Sequence, residues 1–288
     1  MKPGQGPARP DQGLALVPAL VPALRSELRK VLSTRMWWLL AVVLLAYLAF
    51  LGAVMGFSLT TDPESMTGGL GTVTELDGRT VAETVYTLAV SLGYVFPLVI
   101  GALSMTAEYR HKTITPVVLA EPRRGVVLGA KLLVGALLGA VYGVVGTAGA
   151  VLGGLPFLLT KGDGAYLGDR AVLTDLAFSV LALAIWCVIG VGLGTLLTNQ
   201  IASVVVILAF TQFVEPVLRL GLVAIDALAG VQKFLPGAAA EALAGSSLYS
   251  STGMLGLLDR GWGAVVLLAY AAGFALLGRY LTLRRDIS

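Results

Sequence analysis

Long stretches without Asp, Glu, Lys or Arg constrain this chain more than any other feature of its sequence. Residues 36–61, 84–107, 132–160, 176–214 and 261–278 carry no charged side chain. A helix needs roughly 20 apolar residues, at about 1.5 Å each, to cross ~30 Å of hydrocarbon. Only 13% of the residues are charged, whereas a soluble domain has about 25%. The sequence therefore predicts an all-α, polytopic membrane protein.

Six spans are predicted from these stretches. The stretch 176–214 is too long for one crossing, and the polar Thr198–Gln200 divides it. The fifth span meets Glu215 and Pro216 early, so its helix either begins a turn sooner or continues past Pro216. In the second span, Pro97 is expected to introduce a kink. The predicted spans lie at about 36–57, 84–106, 130–159, 173–197, 200–222 and 261–281.

The charges also predict an orientation. One side of the membrane would receive the amino end, the loop 107–131, the turn 198–200 and the tail. That side holds 14 of the 20 Lys and Arg residues but 5 of the 17 Asp and Glu residues. Because cytoplasmic loops carry an excess of Lys and Arg, both termini are expected in the cytoplasm.

The amino-terminal region divides into two parts. Residues 1–13 are rich in Gly and Pro and are expected to be disordered. Residues 14–35 predict a short amphipathic helix that lies in the membrane interface. The residues on its predicted apolar face are Leu24, Leu28, Val31 and Leu32. Its basic side would meet anionic headgroups or a partner, or would merely fix the topology. The basic residues are Arg25, Arg29, Lys30 and Arg35.

Two connecting segments are longer than a plain loop requires. The inner segment 107–131 mixes charges with an apolar patch at 114–119, which predicts a docking element. The outer region 215–258 is semi-polar and breaks near Leu235. Two short helices that dip into or cap the outer leaflet would fit it, and irregular backbone at that depth must be buried in protein or line water. Its landmark residues are Glu215, Pro216 and Pro236.

Glycines recur in the third and fourth spans. Small residues on one helix face let two backbones approach closely in a membrane. The pattern favours packing within one subunit over a dimer seam, although both remain open. The glycines concerned are Gly135, Gly139, Gly143, Gly190 and Gly194.

No reactive constellation is found in the sequence. It has no nucleotide-binding GxxxxGK[ST] and no hydrolase motif, and a lone Cys187 and a lone His111 give no metal-ligand spacing. The chain is therefore expected to be no enzyme and to bind neither metal nor nucleic acid. Glu83, Asp175 and Glu215 are interpreted as interface charges at span ends, so an ion-coupled secondary carrier is disfavoured. An amphipathic or lipophilic substrate is favoured instead.

Several segments, in their order along the chain, carry a family resemblance. They are ELRKVLSTRMWWLL (27–40), EYRHKTITPVVLAEPRRGVVLGAK (108–131), GVGLGTLLTNQIASVVV (190–206), FVEPVL (213–218), KFLPGAAAEAL (233–243) and RRD (284–286). From about Leu24 to Ser288, the chain resembles the permease subunits of ATP-binding-cassette exporters of the second type. The similarity is greatest to the compact actinobacterial members.

The resemblance implies a subunit of six spans in a bacterial plasma membrane. It implies an interfacial helix at the amino end, a coupling helix within 107–125 and re-entrant outer helices within 215–258. Two separate ATPase subunits would bind ATP and Mg, and this chain would bind no cofactor. The second permease subunit would be another copy of the chain or a paralogue.

Particular residues are implied by the same resemblance. Glu108, Arg110 and Thr113 match an E-x-R-x-x-T pattern that enters the coupling region, and Lys112 stands where members often have Gly. Glu108 is expected to pair with a base of the amino-terminal helix, such as Arg29 or Arg35. The ATPase-coupling residues implied are Glu108, Tyr109, Arg110, Thr113, Arg123 and Arg124.

Two other functions remain open at this stage. The chain could be a non-transporting membrane scaffold or immunity factor that recruits a cytoplasmic partner through its long inner loop. A small secondary carrier is the less favoured alternative. For an exporter, drugs, antibiotics, lipids and peptides would all suit an apolar path.

Overall fold

The computed structural model describes residues 16–61, 77–113, 116, 123–225, 227–247, 250 and 256–281. Within these ranges the regular structure is entirely helical, which confirms the predicted all-α class. The α-helices are α1 (Leu16–Ser33), α2 (Met36–Thr61), α3 (Gly78–Tyr86), α4 (Leu88–Ser91), α5 (Val95–Arg110), α6 (Arg124–Thr160), α7 (Arg170–Leu196), α8 (Gln200–Ala209), α9 (Glu215–Val223), α10 (Pro236–Ala244) and α11 (Arg260–Leu281). A π-helical turn (Phe210–Val214) joins α8 to α9, and a 3-10 turn (Val231–Phe234) precedes α10.

Five helices of the described chain are long and apolar enough to cross a membrane. This finding is compatible with a multi-pass membrane protein. The five are Met36–Thr61, Arg124–Thr160, Arg170–Leu196, Gln200–Val223 and Arg260–Tyr280. The predicted tail 1–13, the apolar patch at 114–119 (apart from Pro116) and the RRD segment lie outside the described residues.

The second predicted span, 84–106, differs from the helices observed. Two short helices, α3 and α4, come first, and the 16-residue α5 begins only at Val95. The break falls near Gly93, where a Cβ would lie 2.9 Å from Leu48 Cδ1, so the chain turns in close contact with α2. Pro97 lies in the first turn of α5, where no backbone donor is lost, and it does not kink the helix interior.

The helix after Asn199 resolves the alternatives for the fifth span. Asn199 caps α8 by accepting hydrogen bonds from the backbone N–H groups of Ile201 and Ala202, so the helix does not begin earlier. It continues past Pro216 to Val223, giving a candidate span of 24 residues. Proline has no N–H to donate, and the wider π-helical turn directly before it accommodates that loss.

Helices α6 and α7 run antiparallel and pack closely. Gly139 lies against Ala184 and Cys187, and Gly143, one turn further on, lies against Val180. The residue numbers rise on one helix as they fall on the other. α6 has 37 residues and is therefore about 55 Å long, well beyond the ~30 Å of a hydrocarbon core. A membrane crossing by α6 would therefore leave part of the helix outside that core.

Helices α5 and α11 run parallel to α7, and α2 runs parallel to α6. On α5, Leu98 lies against Gly190, and Met105 lies against Gly194. Between α11 and α7, Arg260 contacts Asp175 and Phe274 contacts Gly192. Between α2 and α6, Leu45 contacts Gly149 and Phe57 contacts Phe157.

Helix α8 returns alongside α5 in the opposite direction. Arg110, the last residue of α5, donates a hydrogen bond to Gln200 at the start of α8, at 3.1 Å. Tyr94, just before α5, donates to the carbonyl of Thr211 beyond the end of α8, at 3.1 Å. Long helices therefore alternate between two ends of the bundle, which we call the Glu108 end and the Glu241 end.

Candidate functional site

Two groups of charged side chains are buried, one near each end of the bundle. The four-charge cluster, at the Glu108 end, consists of Glu27, Lys30, Glu108 and Lys131. The triad, at the Glu241 end, consists of Glu215, Arg219 and Glu241. Burying charge is unfavourable unless the charges are paired and hydrogen-bonded, so both groups require a physical account.

The four-charge cluster joins three helices. Lys131 Nζ, on α6, lies 2.7 Å from Glu27 Oε2 and 2.8 Å from Glu108 Oε1. Lys30 Nζ, on α1, lies 2.6 Å from Glu27 Oε1 and 2.7 Å from the same oxygen of Glu108. Each ammonium group therefore bridges two carboxylates, and the cluster ties α1 to both α5 and α6.

The four-charge cluster is balanced, with two carboxylates and two ammonium groups. The Lys131 side chain is 1% exposed, whereas that of Lys30 is 38% exposed and reaches the surface. Burial disfavours the charge on Lys30, but its hydrogen bonds to Glu108 and Glu27 and their negative charges outweigh that effect. The pKa of Lys30 is therefore raised above its ordinary value.

Glu108 pairs with a base of the amino-terminal helix, and that base is Lys30. Arg29 and Arg35, the residues named as examples from the sequence, are both exposed, and neither contacts Glu108. Lys131 was not predicted as a site residue, because it lies beside a charge-free stretch, where a lysine is usually a solvated flank. No spacing within α6 distinguishes it, because its partners lie on α1 and α5.

The exposed face of α1 is basic, and its opposite face packs on the bundle. Leu24, Leu28 and Val31 are half-buried, while Leu32 is 61% exposed and departs from the predicted apolar face. The exposed face forms a shallow groove that combines cationic and hydroxyl groups. Its lining residues are Pro22, Arg25, Ser26, Arg29, Lys30 and Ser33.

The end of α5 forms a tight turn before the inner segment. Thr113 N donates to Glu108 O at 2.9 Å, and Lys112 N donates to Tyr109 O at 3.2 Å. These bonds close the helix with Lys112 at φ 55°, in the left-handed region that favours glycine. Members of the resembled family often have Gly at the position of Lys112, and the backbone conformation at this position favours Gly.

The other predicted coupling residues lie around this turn. Tyr109 is half-buried against a small apolar group that includes Met105 and Leu128. Arg110 is exposed and binds Gln200, as described above. Arg123 directly precedes α6 and Arg124 is its first residue, so both lie at the Glu108 end.

The triad joins α9 to α10. Glu215 Oε1 accepts hydrogen bonds from Arg219 Nη2 at 2.9 Å and Nε at 3.3 Å, and from the backbone N–H of Gly237 at 2.6 Å. Arg219 Nη1 donates to Glu241 Oε1 at 3.0 Å. The second carboxylate oxygens of both Glu215 and Glu241 are buried and have no hydrogen-bond partner within the described chain.

The triad corrects the interpretation of Glu215 as an interface charge. Glu215 is 1% exposed, and it lies with Arg219 inside the candidate span Gln200–Val223. Pro236, the third landmark of the outer region, is buried at the first turn of α10, beside Gly237. A Glu and an Arg four residues apart in an apolar helix were the sequence signal, because that spacing places them on one face.

Asp175, also interpreted as an interface charge, is 6% exposed. It pairs with Arg260 at the start of α11, and Arg260 also donates to the carbonyl of Ala244 at 3.3 Å. This pair fastens α7, α10 and α11 together at the Glu241 end.

The predicted packing glycines all lie at contacts between helices of this chain. Cβ atoms at Gly135, Gly139 and Gly143 would each lie within 3 Å of side-chain or backbone atoms of α7. Gly190 and Gly194 lie directly against the backbone of α5. The glycines thus bring α5, α6 and α7 into close packing within a single chain.

The sequence matches no protein-family model and no curated protein sequence. The site is therefore interpreted from its own geometry. The four-charge cluster holds the amino-terminal helix against the two helices that flank the inner segment. The triad holds a short buried helix against the broken helix that precedes it.

Proposed function

We propose that this chain is the membrane-spanning permease subunit of an ATP-driven exporter of the ATP-binding-cassette class. It would form the path for an amphipathic or lipophilic substrate and would couple to a separate ATPase subunit. The observation that carries the proposal is the four-charge cluster, which joins α1, α5 and α6 where the inner segment leaves and re-enters the bundle.

The geometry suits the transmission of a mechanical displacement. The inner segment connects Arg110, at the end of α5, to Arg124, at the start of α6. A partner that moved this segment would displace both helices together, because Lys131 and Glu108 bind each other across them at 2.8 Å. α1 would move with them through Glu27 and Lys30.

Six crossings and a re-entrant outer region belong to the same proposal. α5, with 16 residues, would be the short second crossing, since it runs opposite to α6 and parallel to α7. α10 would be part of the re-entrant region, because all nine of its residues are buried. The basic excess at the Glu108 end supports a cytoplasmic location for both termini in a bacterial plasma membrane.

The test is recruitment of an ATPase through the inner segment. The chain is purified in detergent from its host membranes, and copurifying proteins are identified and assayed for ATP hydrolysis. In one variant, residues 114–122 are replaced by a Gly-Ser segment of equal length. This change leaves the four-charge cluster and the turn after α5 intact.

We expect a copurifying ATPase with the unchanged chain and its loss with the inner-segment variant. The matched control replaces residues 64–72, between α2 and α3, in the same way and should retain the ATPase. Equal recovery of the ATPase with both variants would contradict the proposed coupling role. Copurification of a partner without ATPase activity would favour a membrane scaffold instead.

A further inference from the structure

The two buried clusters differ in their charge balance. The four-charge cluster has as many bases as acids, whereas the triad has two carboxyl groups and one guanidinium. Glu215, Arg219 and Glu241 are 1%, 5% and 1% exposed, so water does not compensate the excess negative charge. A buried, unpaired carboxylate is so unfavourable that such a group takes up a proton instead.

No second cation among the described residues contacts the two carboxylates. On the 3-10 turn, Lys233 lies against Gly256. On α11, Arg260 binds Asp175 of α7, and the hydroxyl of Tyr270 donates to the carbonyl of Phe234 at 3.2 Å. α4, which also packs on α10, has no titratable side chain.

The hydrogen bonds distinguish the two carboxyl groups. Glu215 accepts three N–H hydrogen bonds, one of them from the Gly237 backbone, and such donors favour the ionised form. Glu241 accepts one from Arg219 and is approached by the Ser247 hydroxyl, so fewer donors favour its ionised form than favour that of Glu215. Glu215 is thus the better partner for the guanidinium.

We propose that the triad is a proton-binding site and that Glu241 holds the proton at neutral pH. The protonated triad is neutral overall, with Glu215 ionised, Arg219 charged and Glu241 a carboxylic acid. This inference does not depend on the proposed transport function, because it rests on the charges and contacts of α9 and α10 alone.

The proton has a structural consequence for α10. Glu215 and Glu241 bind this helix to α9, one from each side of Arg219. Release of the proton would leave a net negative charge inside the bundle and weaken the attachment of α10 to α9. Proton binding at Glu241 would therefore favour the docked position of the helix.

Infrared difference spectroscopy of the full chain in detergent tests the proposal directly. A protonated carboxylic acid has a C=O stretch that is separate from that of a carboxylate. We expect such a band at neutral pH. Exposed Glu side chains have a pKa of ~4.3, so they are ionised at neutral pH and do not contribute to this band. The band should vanish in Glu241→Gln, and it should shift in Glu241→Asp because the acid group changes its chemical environment.

The balanced cluster and the other triad acid supply matched controls. Glu108→Gln should leave the band unchanged, because that glutamate is paired with two lysines. Glu215→Asp should retain the band and shift it less than Glu241→Asp does, because Glu215 reaches Glu241 only through Arg219. Each variant is compared only as a monodisperse preparation, and Glu241→Asp preserves the test if Glu241→Gln does not fold.

Three results would overturn the proposal. The first is the absence of a carboxylic acid band from the wild-type chain at neutral pH. The second is a band that neither Glu241 variant alters. The third is a band whose frequency moves in Glu215→Asp and not in Glu241→Asp, which would place the proton on Glu215.

Discussion

Lys131 shows how burial decides the role of a charged residue. It lies in the first third of α6, its side chain is 1% exposed, and it binds carboxylates from two other helices. Without it, Glu27 and Glu108 would share only Lys30, whose ammonium group is partly solvated. A lysine in this position is therefore part of the packing of the bundle.

Replacement of Lys131 by Met should destabilise the protein strongly. Removal of one partner from a buried ion pair costs about 3–5 kcal/mol, because the remaining charge has no compensation. The measurement is the free energy of unfolding, or the midpoint of thermal unfolding, of the chain in detergent. The added substitution Glu27→Gln should recover part of the loss, because it leaves Lys30 and Glu108 as a balanced pair.

Lys161 provides the control for this change. It is exposed and lies over the Phe57 ring, 4.8 Å from the ring centroid. Lys161→Met should change the free energy of unfolding by less than about 1 kcal/mol, since exposed charges contribute little. Equal effects at the two lysines would mean that the four-charge cluster does not stabilise the bundle.

Lys112→Gly should stabilise the end of α5. A non-glycine residue in the left-handed region costs roughly 1 kcal/mol, and Lys112 has φ 55°. The substitution should therefore raise the free energy of unfolding by about 1 kcal/mol. His111→Gly is the control, because φ of His111 is −91°, and there glycine adds only flexibility to the unfolded chain. A lower stability in both variants would contradict the assignment of this turn.

At the residue scale, the sequence identified some site residues and missed others for a physical reason. Glu108 was expected to bind a base on the amino-terminal helix, and it binds Lys30. Arg219 and Glu241 were not assigned to any site. Their pairing joins two helices across a turn, and a sequence pattern reports spacing within one helix but not contacts between two.

At the scale of elements, glycine contacts determine how α6 and α7 pack. Gly129 and Gly139 lie on the same helix but in different surroundings. A Cβ at Gly139 would lie 2.6 Å from Cys187 Cβ and 2.8 Å from Ala184 Cα. A Cβ at Gly129 would meet nothing within 4 Å. Substitutions at these two positions therefore separate the effect of helix propensity on stability from the effect of close packing.

Gly139→Ala should therefore destabilise the bundle, while Gly129→Ala should not. Overpacking a close contact costs about 1–3 kcal/mol, whereas alanine in an open helical position gains up to about 1 kcal/mol over glycine. Thermal unfolding of both variants in one detergent measures the difference. A stabilising effect at both positions would show that α6 and α7 do not pack through Gly139.

Charge-free stretches located the long elements well and the broken ones less well. α2, α7 and α11 begin within about three residues of the predicted spans, because uninterrupted apolar sequence has few alternatives to a helix. The break before Val95 was not predicted. It lies where Gly93 approaches Leu48 of α2, a contact between residues distant in sequence that becomes apparent only in the folded chain.

At the scale of the whole molecule, the alternating helices place chemically different surfaces at the two ends. Arg110 is exposed at the Glu108 end, and Asp163 is exposed in the turn after α6, at the other end. The single Cys187 is fully buried, so it should not react with a polar thiol reagent. Single cysteines introduced at exposed positions can therefore report which end faces which side of the membrane.

Asp163→Cys should react with a membrane-impermeant maleimide in intact cells, and Arg110→Cys should react only after the cells are permeabilised. The physical reason for this expectation is the basic excess around the Glu108 end, because cytoplasmic loops carry an excess of Lys and Arg. The unchanged chain is the control and should remain unlabelled in both conditions. Labelling of Arg110→Cys alone in intact cells would show that the chain has the opposite orientation. The inner segment could then not reach a cytoplasmic ATPase. Labelling of both positions in intact cells would contradict the alternation of the helices across the membrane.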